Sequence, residues 1–392
     1  MNTVSIPTIS DAEFVSRRER AAELTAEAGY DVLLVNSTEA DYANVRYFCD
    51  YWPIFEIAGV AIAPSGKACT LIGLESENYA KDRSQISNIH MLMEYRESAD
   101  PDYPGTQASS FRKAFESIGV VNPKRIGIGG YLVTTAPVLD GLRESFPDAE
   151  ILRADDIMVK MRSVKSDAEI ACQRKAFEIS EQAVQDVLKQ IQPGMTELQV
   201  CGTVQQSIYM NGAEYEGMPQ YVFAGSNTRH AISRPTHRII EKGDIVQLNL
   251  SALVSGYSSG VGVPICMGKM TPKMRDLTEF GLEVHNATIE KLKAGIIASD
   301  IAKWHEAYFE KNGRSENFLY GPCHGLGMIE VEPPWMETSS DYTLVENMTF
   351  QVDSFCFCDE FGLRFENGGR VTADGFDLFS GDYRRIIELS DR

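Results

Sequence analysis

The feature that most constrains this chain is a set of helix boundaries that occurs twice in its C-terminal 230 or so residues. Two capping boxes predict the starts of two helices in the first half. Glycines 18 residues apart end the helices there, and glycines with the same spacing recur further on. The repetition predicts two helix–helix–strand halves that bury their sheets together, with helices outside and a pocket between. The boundaries are the boxes Ser166–Glu169 and Thr196–Gln199, then Gly194 with Gly212, and Gly295 with Gly313.

The N-terminal part alternates helical and extended patterns on a smaller scale. An amphipathic stretch at 11–28 precedes the apolar run at 31–36, and residues 60–73 resemble a hairpin. Residues 125–130 predict another strand, followed by a helix from about 136 to 146. We therefore predict two domains, a small mixed α/β domain over 1–155 and a larger one over 156–392.

Composition limits the classes of protein that remain. With 43% hydrophobic and 24% charged residues the chain has ample material for a core, and no apolar run is long enough to span a bilayer. The net charge of −19 opposes nucleic-acid binding. The eight cysteines show no paired spacing, which favours reduced thiols. We expect a cytoplasmic protein with neither a membrane nor a nucleic-acid partner.

Four segments of the C-terminal part carry polar residues in strand-like surroundings. In residues 243–268, Val246, Leu248 and Leu250 alternate with Gln247, Asn249 and Ser251, so one face of the strand is apolar and the other polar. The other three segments are GPCHGLGMIEVEPPW with His324, FQVDSF with Asp353, and GLRFENGGRVT with Glu366.

The order of these motifs resembles the "pita-bread" family of aminopeptidase P, prolidase, methionine aminopeptidase and creatinase. The match covers about residues 155–380, and the linker MRSVKSDAEI resembles the entry to that family's catalytic domain. The resemblance implies an α+β fold, in which an α/β creatinase/prolidase-type N-terminal domain precedes a pita-bread catalytic domain with an internal pseudo-twofold repeat. It also implies a homodimer that acts on a small molecule.

The family's peptidases hold two metal ions with two Asp, one His and two Glu. Those positions fall here on Asn249, Gly260, His324, Asp353 and Glu366. Because Asn249 is neutral and Gly260 has no side chain, the anionic oxygens needed to neutralise and bridge two cations are missing. We expect no metal pair and no cofactor. If one metal ion binds, the resemblance points to His324, Asp353 and Glu366 as its ligands.

The metal-free branches of the family, creatinase among them, suggest a metal-independent hydrolase of a C–N bond in a small polar amide, amidine or guanidino compound. A histidine would activate water while carboxylates hold the substrate. His230 lies two residues before the position of creatinase's catalytic histidine, where Ile232 stands instead. The expected catalytic residues are His230, His324 and Glu366, and the expected substrate-binding residues are Asn249, Asp353, Tyr257, Glu332 and Arg364.

Two other functions remain open. One is a single-metal Xaa-Pro-peptidase-like hydrolase or lyase that uses His324, Asp353 and Glu366. The other is a non-catalytic module of the same fold that binds a ligand or a protein.

Overall fold

The computed structural model describes residues 5–390, and these form two compact units. One unit comprises residues 9–162, and the other comprises residues 5–8 together with 163–390. The sequence places the boundary seven residues earlier, at 155/156. The helix that spans Asp155–Arg162 belongs to the first unit, where the backbone N–H of Ala154 donates to Ile128 and that of Tyr131 to the Asp155 carboxylate.

The first unit is a six-stranded mixed sheet with helices, as its alternating pattern predicts. Strand β1 lies in the interior of the sheet, antiparallel to β2 and parallel to β5, and the strand order is β4-β3-β2-β1-β5-β6. The elements are α1 (Asp11–Glu27), β1 (Val32–Ser37), α2 (Ala43–Cys49), β2 (Ala58–Ile62), β3 (Ala68–Ile72), α3 (Glu77–Arg83), β4 (Ile89–Met91), α4 (Phe111–Ser117), β5 (Arg125–Gly129), α5 (Ala136–Ser145), β6 (Glu150–Arg153) and α6 (Asp155–Arg162).

The second unit contains helix pairs followed by strands, in two successive halves. The elements of the first half are α7 (Asp167–Gln190), α8 (Glu197–Met210), β7 (Tyr221–Ala224), β8 (Ile245–Leu250), β9 (Leu253–Val254), β10 (Tyr257–Ser258) and β11 (Val261–Cys266). Those of the second half are α9 (Pro272–Ile289), α10 (Ala298–Lys311), β12 (Cys323–Gly325), β13 (Glu332–Met336), β14 (Thr349–Phe357), β15 (Gly362–Val371), β16 (Phe376–Leu378) and β17 (Ile387–Glu388). The nine-stranded sheet runs β13-β12-β14-β15-β11-β8-β7, with β16 on β15 and β17 on β11.

The helix boundaries predicted from capping residues and glycines are present in the structure. Both capping boxes are present, with Ser166 and Thr196 as the N-caps of α7 and α8. The four repeated glycines all have φ between 66° and 98°, a left-handed conformation that glycine adopts without the steric cost of a Cβ. The repeated glycine spacing in the sequence thus marks chain reversals that recur in both halves. The α+β fold with an internal repeat is confirmed.

One face of the large sheet packs under α7 and α8. Val246, Leu248 and Leu250 of β8 are fully buried in this core, as their alternation predicts. The polar residues between them point to the opposite face, where the candidate site lies. Across residues 5–390, no helix is both long and apolar enough to cross a membrane, and all eight cysteines are free thiols.

Candidate metal centre

A single row of paired residues crosses four neighbouring strands of the large sheet. Asn249 on β8 pairs with Gly262 on β11, Gly262 with Glu366 on β15, and Glu366 with Asp353 on β14. Directly paired residues project their side chains to the same face of a sheet. The register therefore brings Asn249, Glu366 and Asp353 together from segments that are distant in the chain.

His324 adds an imidazole to this row from the short strand β12, where it pairs with Gln351. Its Nδ1 lies 3.0 Å from the carbonyl oxygen of Gly325, to which it donates. This bond orients the ring so that Nε2 faces the carboxylates, the position from which it could bind a metal ion. Nε2 lies 3.8 Å from Oε1 of Glu366.

Three side chains form a group with the geometry of a metal site. One ligand atom from each of His324, Asp353 and Glu366 lies within 4.8 Å of the other two. All three residues are at most 5% exposed. An imidazole with two carboxylates is a ligand set that divalent transition-metal ions favour, and it leaves coordination positions open.

The other two family ligand positions offer no anion. The side-chain amide of Asn249 donates to Oε2 of Glu366, and its Oδ1 accepts from Gln247 at 2.7 Å. Gly260 contributes only its carbonyl, which accepts from Gln351 at 2.6 Å. The donor set therefore fits one divalent ion and lacks the anionic oxygens that a second would need.

Asp353 is held in place by two further side chains. The hydroxyl of Tyr320 donates to Oδ2 of Asp353 at 2.7 Å, and Nε of Arg364 lies 3.0 Å from Oδ1. Arg364 also donates to the Tyr320 hydroxyl and, at 2.9 Å, to the carbonyl of Ala231. Such partners orient a ligating carboxylate and tune its affinity.

Glu330 is a third acid in the centre, and it was missing from the residues predicted from sequence. Its Oε1 lies 3.9 Å from Nε2 of His324, and the residue is 5% exposed. Residues 327–331 form bends between β12 and β13, and these turn Glu330 inward. The sequence contains two acids in the segment MIEVEPP, and of these we expected Glu332, not Glu330, to lie in the site.

The buried acids and His324 shift one another's pKa values. Burial and the neighbouring Glu366 raise the pKa of Glu330 well above its usual range, and burial raises that of Asp353 despite Arg364. Burial alone would lower the pKa of His324, but the carboxylates of Glu330 and Glu366 outweigh it and raise the pKa to about 9. For Glu366 burial opposes ionisation, yet the nearby imidazole of His324 and the charge of Arg364 hold its pKa below the usual value. The centre thus attracts positive charge strongly.

Three predicted site residues lie outside this cluster. Tyr257 is buried, and its hydroxyl donates to Glu169 of α7 at 2.7 Å. Glu332 forms a 2.9 Å ion pair with Lys165, with both side chains at most 3% exposed. His230 is exposed, in the loop whose Ala231 carbonyl accepts from Arg364. The structure thus brings together His324, Glu366, Asn249, Asp353 and Arg364, and it does not bring Tyr257, Glu332 or His230 to them.

The fold and the ligand set define a pita-bread protein of the metallohydrolase type, and comparisons with known proteins agree. Residues 171–373, more than half of the chain, match the model of metallopeptidase family M24, and residues 17–164 match the creatinase/prolidase N-terminal domain. The chain therefore belongs to metallopeptidase family M24.

Individual relatives cover almost the whole chain. A Xaa-Pro dipeptidase of Pyrococcus furiosus is 25% identical over 95% of this chain and 99% of its own length. One from Pyrococcus horikoshii is 27% identical over 88% of this chain and 92% of its own. The crystal structure of an X-Pro aminopeptidase from Thermotoga maritima superposes with a TM-score of 0.81, at 22% identity, over 95% of this chain and 99% of that one.

These findings overturn the function expected from sequence. The prediction of a metal-independent, creatinase-like C–N hydrolase is wrong, because the two relatives described above are named Xaa-Pro dipeptidases and three side chains converge that could hold a metal ion. The expectation weighed two lost ligands, at Asn249 and Gly260. It gave too little weight to the three that remain, which come from β12, β14 and β15 and together could hold one ion.

Proposed function

We propose that this chain is a single-metal hydrolase of the Xaa-Pro peptidase type, acting on small peptides. The observation that carries the proposal is the convergence of His324, Asp353 and Glu366, whose ligand atoms lie within 4.8 Å of one another. The names of the M24 relatives support a peptide substrate, and the neutral Asn249 supports one ion instead of two.

The residues of this centre divide into ligands and the groups that hold them. His324 through Nε2, Asp353 and Glu366 would bind the ion. A divalent ion bound there would polarise the scissile carbonyl and lower the pKa of a water, so that the water could lose a proton and attack as hydroxide. The amide of Asn249 holds Glu366, and Arg364 with Tyr320 holds Asp353, so the carboxylates are positioned before substrate arrives.

We expect one aromatic side chain beside His324, that of Trp335, to contact the substrate. The ring of Trp335 lies 5.4 Å from the imidazole of His324, and Trp335 is 41% exposed. An indole face with access to solvent is suited to pack against the apolar ring of a proline residue. Trp335→Ala should raise KM for a Xaa-Pro dipeptide more than for a Xaa-Ala dipeptide.

His230 stays a candidate for proton transfer. Arg364 anchors the neighbouring Ala231 carbonyl beside Asp353, so the exposed imidazole sits on a segment tied to the edge of the centre. In the proposed reaction it would carry a proton to the leaving amine. His230→Ala should then lower kcat without changing metal affinity.

The test is hydrolysis of a dipeptide panel by protein treated with a chelator and then reconstituted with Mn²⁺, Co²⁺ or Zn²⁺. We expect turnover to depend on the metal, to favour Xaa-Pro over Xaa-Ala dipeptides, and to be lost in Asp353→Asn but not in the exposed control Asp341→Asn. Turnover that survives removal of the metal, or failure to cleave any peptide with any of the ions, would overturn the proposal. The homodimer implied by the resemblance stays a prediction, for which light scattering is the test.

A further inference from the structure

The space beside Gly260 is filled by a carboxylate from another part of the chain. A Cβ built on Gly260 would lie 3.0 Å from Oε1 of Glu330 and 2.7 Å from Nε2 of Gln351. Any side chain at position 260 would therefore require the ends of the Gln351 and Glu330 side chains to move. Glu330 therefore occupies the volume that a side chain on Gly260 would otherwise enter.

The buried oxygen of Glu330 lacks a partner within the described protein. Glu330 is 5% exposed, and its Oε1 makes no hydrogen bond in the part of the chain that the structure describes. A buried carboxylate oxygen without a partner is costly, so its persistence points to a ligand. The same atom lies 3.9 Å from Nε2 of His324, close to the 3.8 Å that separates that nitrogen from Oε1 of Glu366.

We propose that Glu330 is a fourth ligand of the cation, and that it replaces in function the carboxylate lost at Gly260. The ligand set then comprises one imidazole and three carboxylates. It remains a site for one ion, because the position of Asn249 still offers no anion to a second one. This inference rests on the proposed function and identifies a ligand of the same site.

If Glu330 replaces a carboxylate at position 260, the effect of a substitution at either position should depend on the residue at the other. An acid at 260 should give no gain in metal affinity while Glu330 is present, because the two side chains compete for one volume. Once Glu330 is reduced to alanine, Asp at 260 should regain access to the cation. A purely structural Glu330 would show no such exchange.

The experiment measures Zn²⁺ and Co²⁺ affinity by competition with a chelating dye, together with the visible spectrum of the Co²⁺ form. The variants are Glu330→Gln, Glu330→Ala, Gly260→Asp and the double variant E330A/G260D. Loss of a ligand should weaken binding in Glu330→Gln by more than the roughly 10- to 100-fold that loss of an outer-shell partner costs, and change the Co²⁺ absorption. E330A/G260D should bind more tightly than Glu330→Ala alone. Glu197→Gln, an equally buried acid bonded to Ala224 and Thr236, is the control and should match the wild type.

The outcomes separate this inference from the proposed function. Wild-type affinity and an unchanged Co²⁺ spectrum in Glu330→Gln would overturn the role of Glu330 and leave the three-ligand site standing. If Glu330→Gln does not fold, failure of E330A/G260D to exceed Glu330→Ala would overturn it instead. A wild-type protein that binds neither ion would overturn the proposed function itself.

Discussion

The side-chain amide of Asn249 donates a hydrogen bond to the carboxylate of Glu366, two strands away in the sheet. Asn249→Asp would replace this bond by two buried carboxylates in contact, which repel each other. We expect a lower Tm in chelator and a larger rise in Tm on adding Zn²⁺ than the wild type shows. Thermal unfolding with and without the ion is the measurement.

The control for this variant is Asn317→Asp, another buried asparagine, whose amide donates to the Phe357 carbonyl at 2.8 Å. It should lose stability to the same extent with and without Zn²⁺. A Zn²⁺-dependent rise in Tm that is the same in Asn249→Asp as in the wild type would contradict the account.

The ion pair of Lys165 and Glu332 is predicted to be structural. Both side chains are almost completely buried, so removing one charge strands the other. Glu332→Gln should reduce the free energy of unfolding by about 3–5 kcal/mol, while the apolar double variant K165M/E332L should be much closer to the wild type. Urea unfolding measures both. If Glu332→Gln kept wild-type stability and raised KM, the role expected from sequence, substrate binding, would be restored.

The metal affinity should depend on Tyr320, which donates to Asp353 at 2.7 Å. Tyr320→Phe leaves that carboxylate without one of its two orienting partners, so affinity should fall roughly 10- to 100-fold. Calorimetric titration with Zn²⁺ measures the change. Tyr308→Phe, which removes a hydroxyl bonded to Glu283 on the outer helices, serves as the matched control. Equal affinity in the two variants would show that Tyr320 does not act through Asp353.

Acid should destabilise the fold partly through His305. Its ring is buried among Phe309 and Phe318, and burial lowers its pKa to about 3 from an ordinary value of 6.5. At pH values between these two pKa values, the unfolded chain therefore binds a proton at His305 and the folded chain does not. The stability associated with the neutral ring is complete above pH 6.5 and is lost as the pH falls toward 3.

His305→Phe removes this contribution. Between pH 6.5 and 5 the variant should lose about 2 kcal/mol less of its free energy of unfolding than the wild type does. Urea titrations at the two pH values check the difference, and His237→Phe, at an exposed position, should behave as the wild type. Equal losses in His305→Phe and the wild type would contradict the assignment.

Local patterns allowed much of the fold to be predicted. The capping boxes at Ser166 and Thr196 and the alternation around Leu248 depend only on neighbouring residues, so they appear in the sequence as they do in the structure. The row from Asn249 to Asp353 could also be predicted, because its residues lie in motifs of a known order.

The interior of the site was harder to predict, because it depends on the path of a loop. Glu330 and Glu332 are two residues apart, and nothing local indicates that the bends at 327–331 turn the first toward His324 and the second toward Lys165. The functional prediction was wrong for a related reason. Counting the anions lost at Asn249 and Gly260 does not show that His324, Asp353 and Glu366 still converge from three strands.

The number of metal ions that each chain binds at full activity decides whether the site works with one ion. Native mass spectrometry of protein titrated with Zn²⁺, alongside hydrolysis of a Xaa-Pro dipeptide by the same samples, gives ion count and activity together. The account predicts that activity reaches its maximum at one ion per chain and that a second ion adds nothing. Maximal activity that requires two bound ions, or full activity with none, would contradict it.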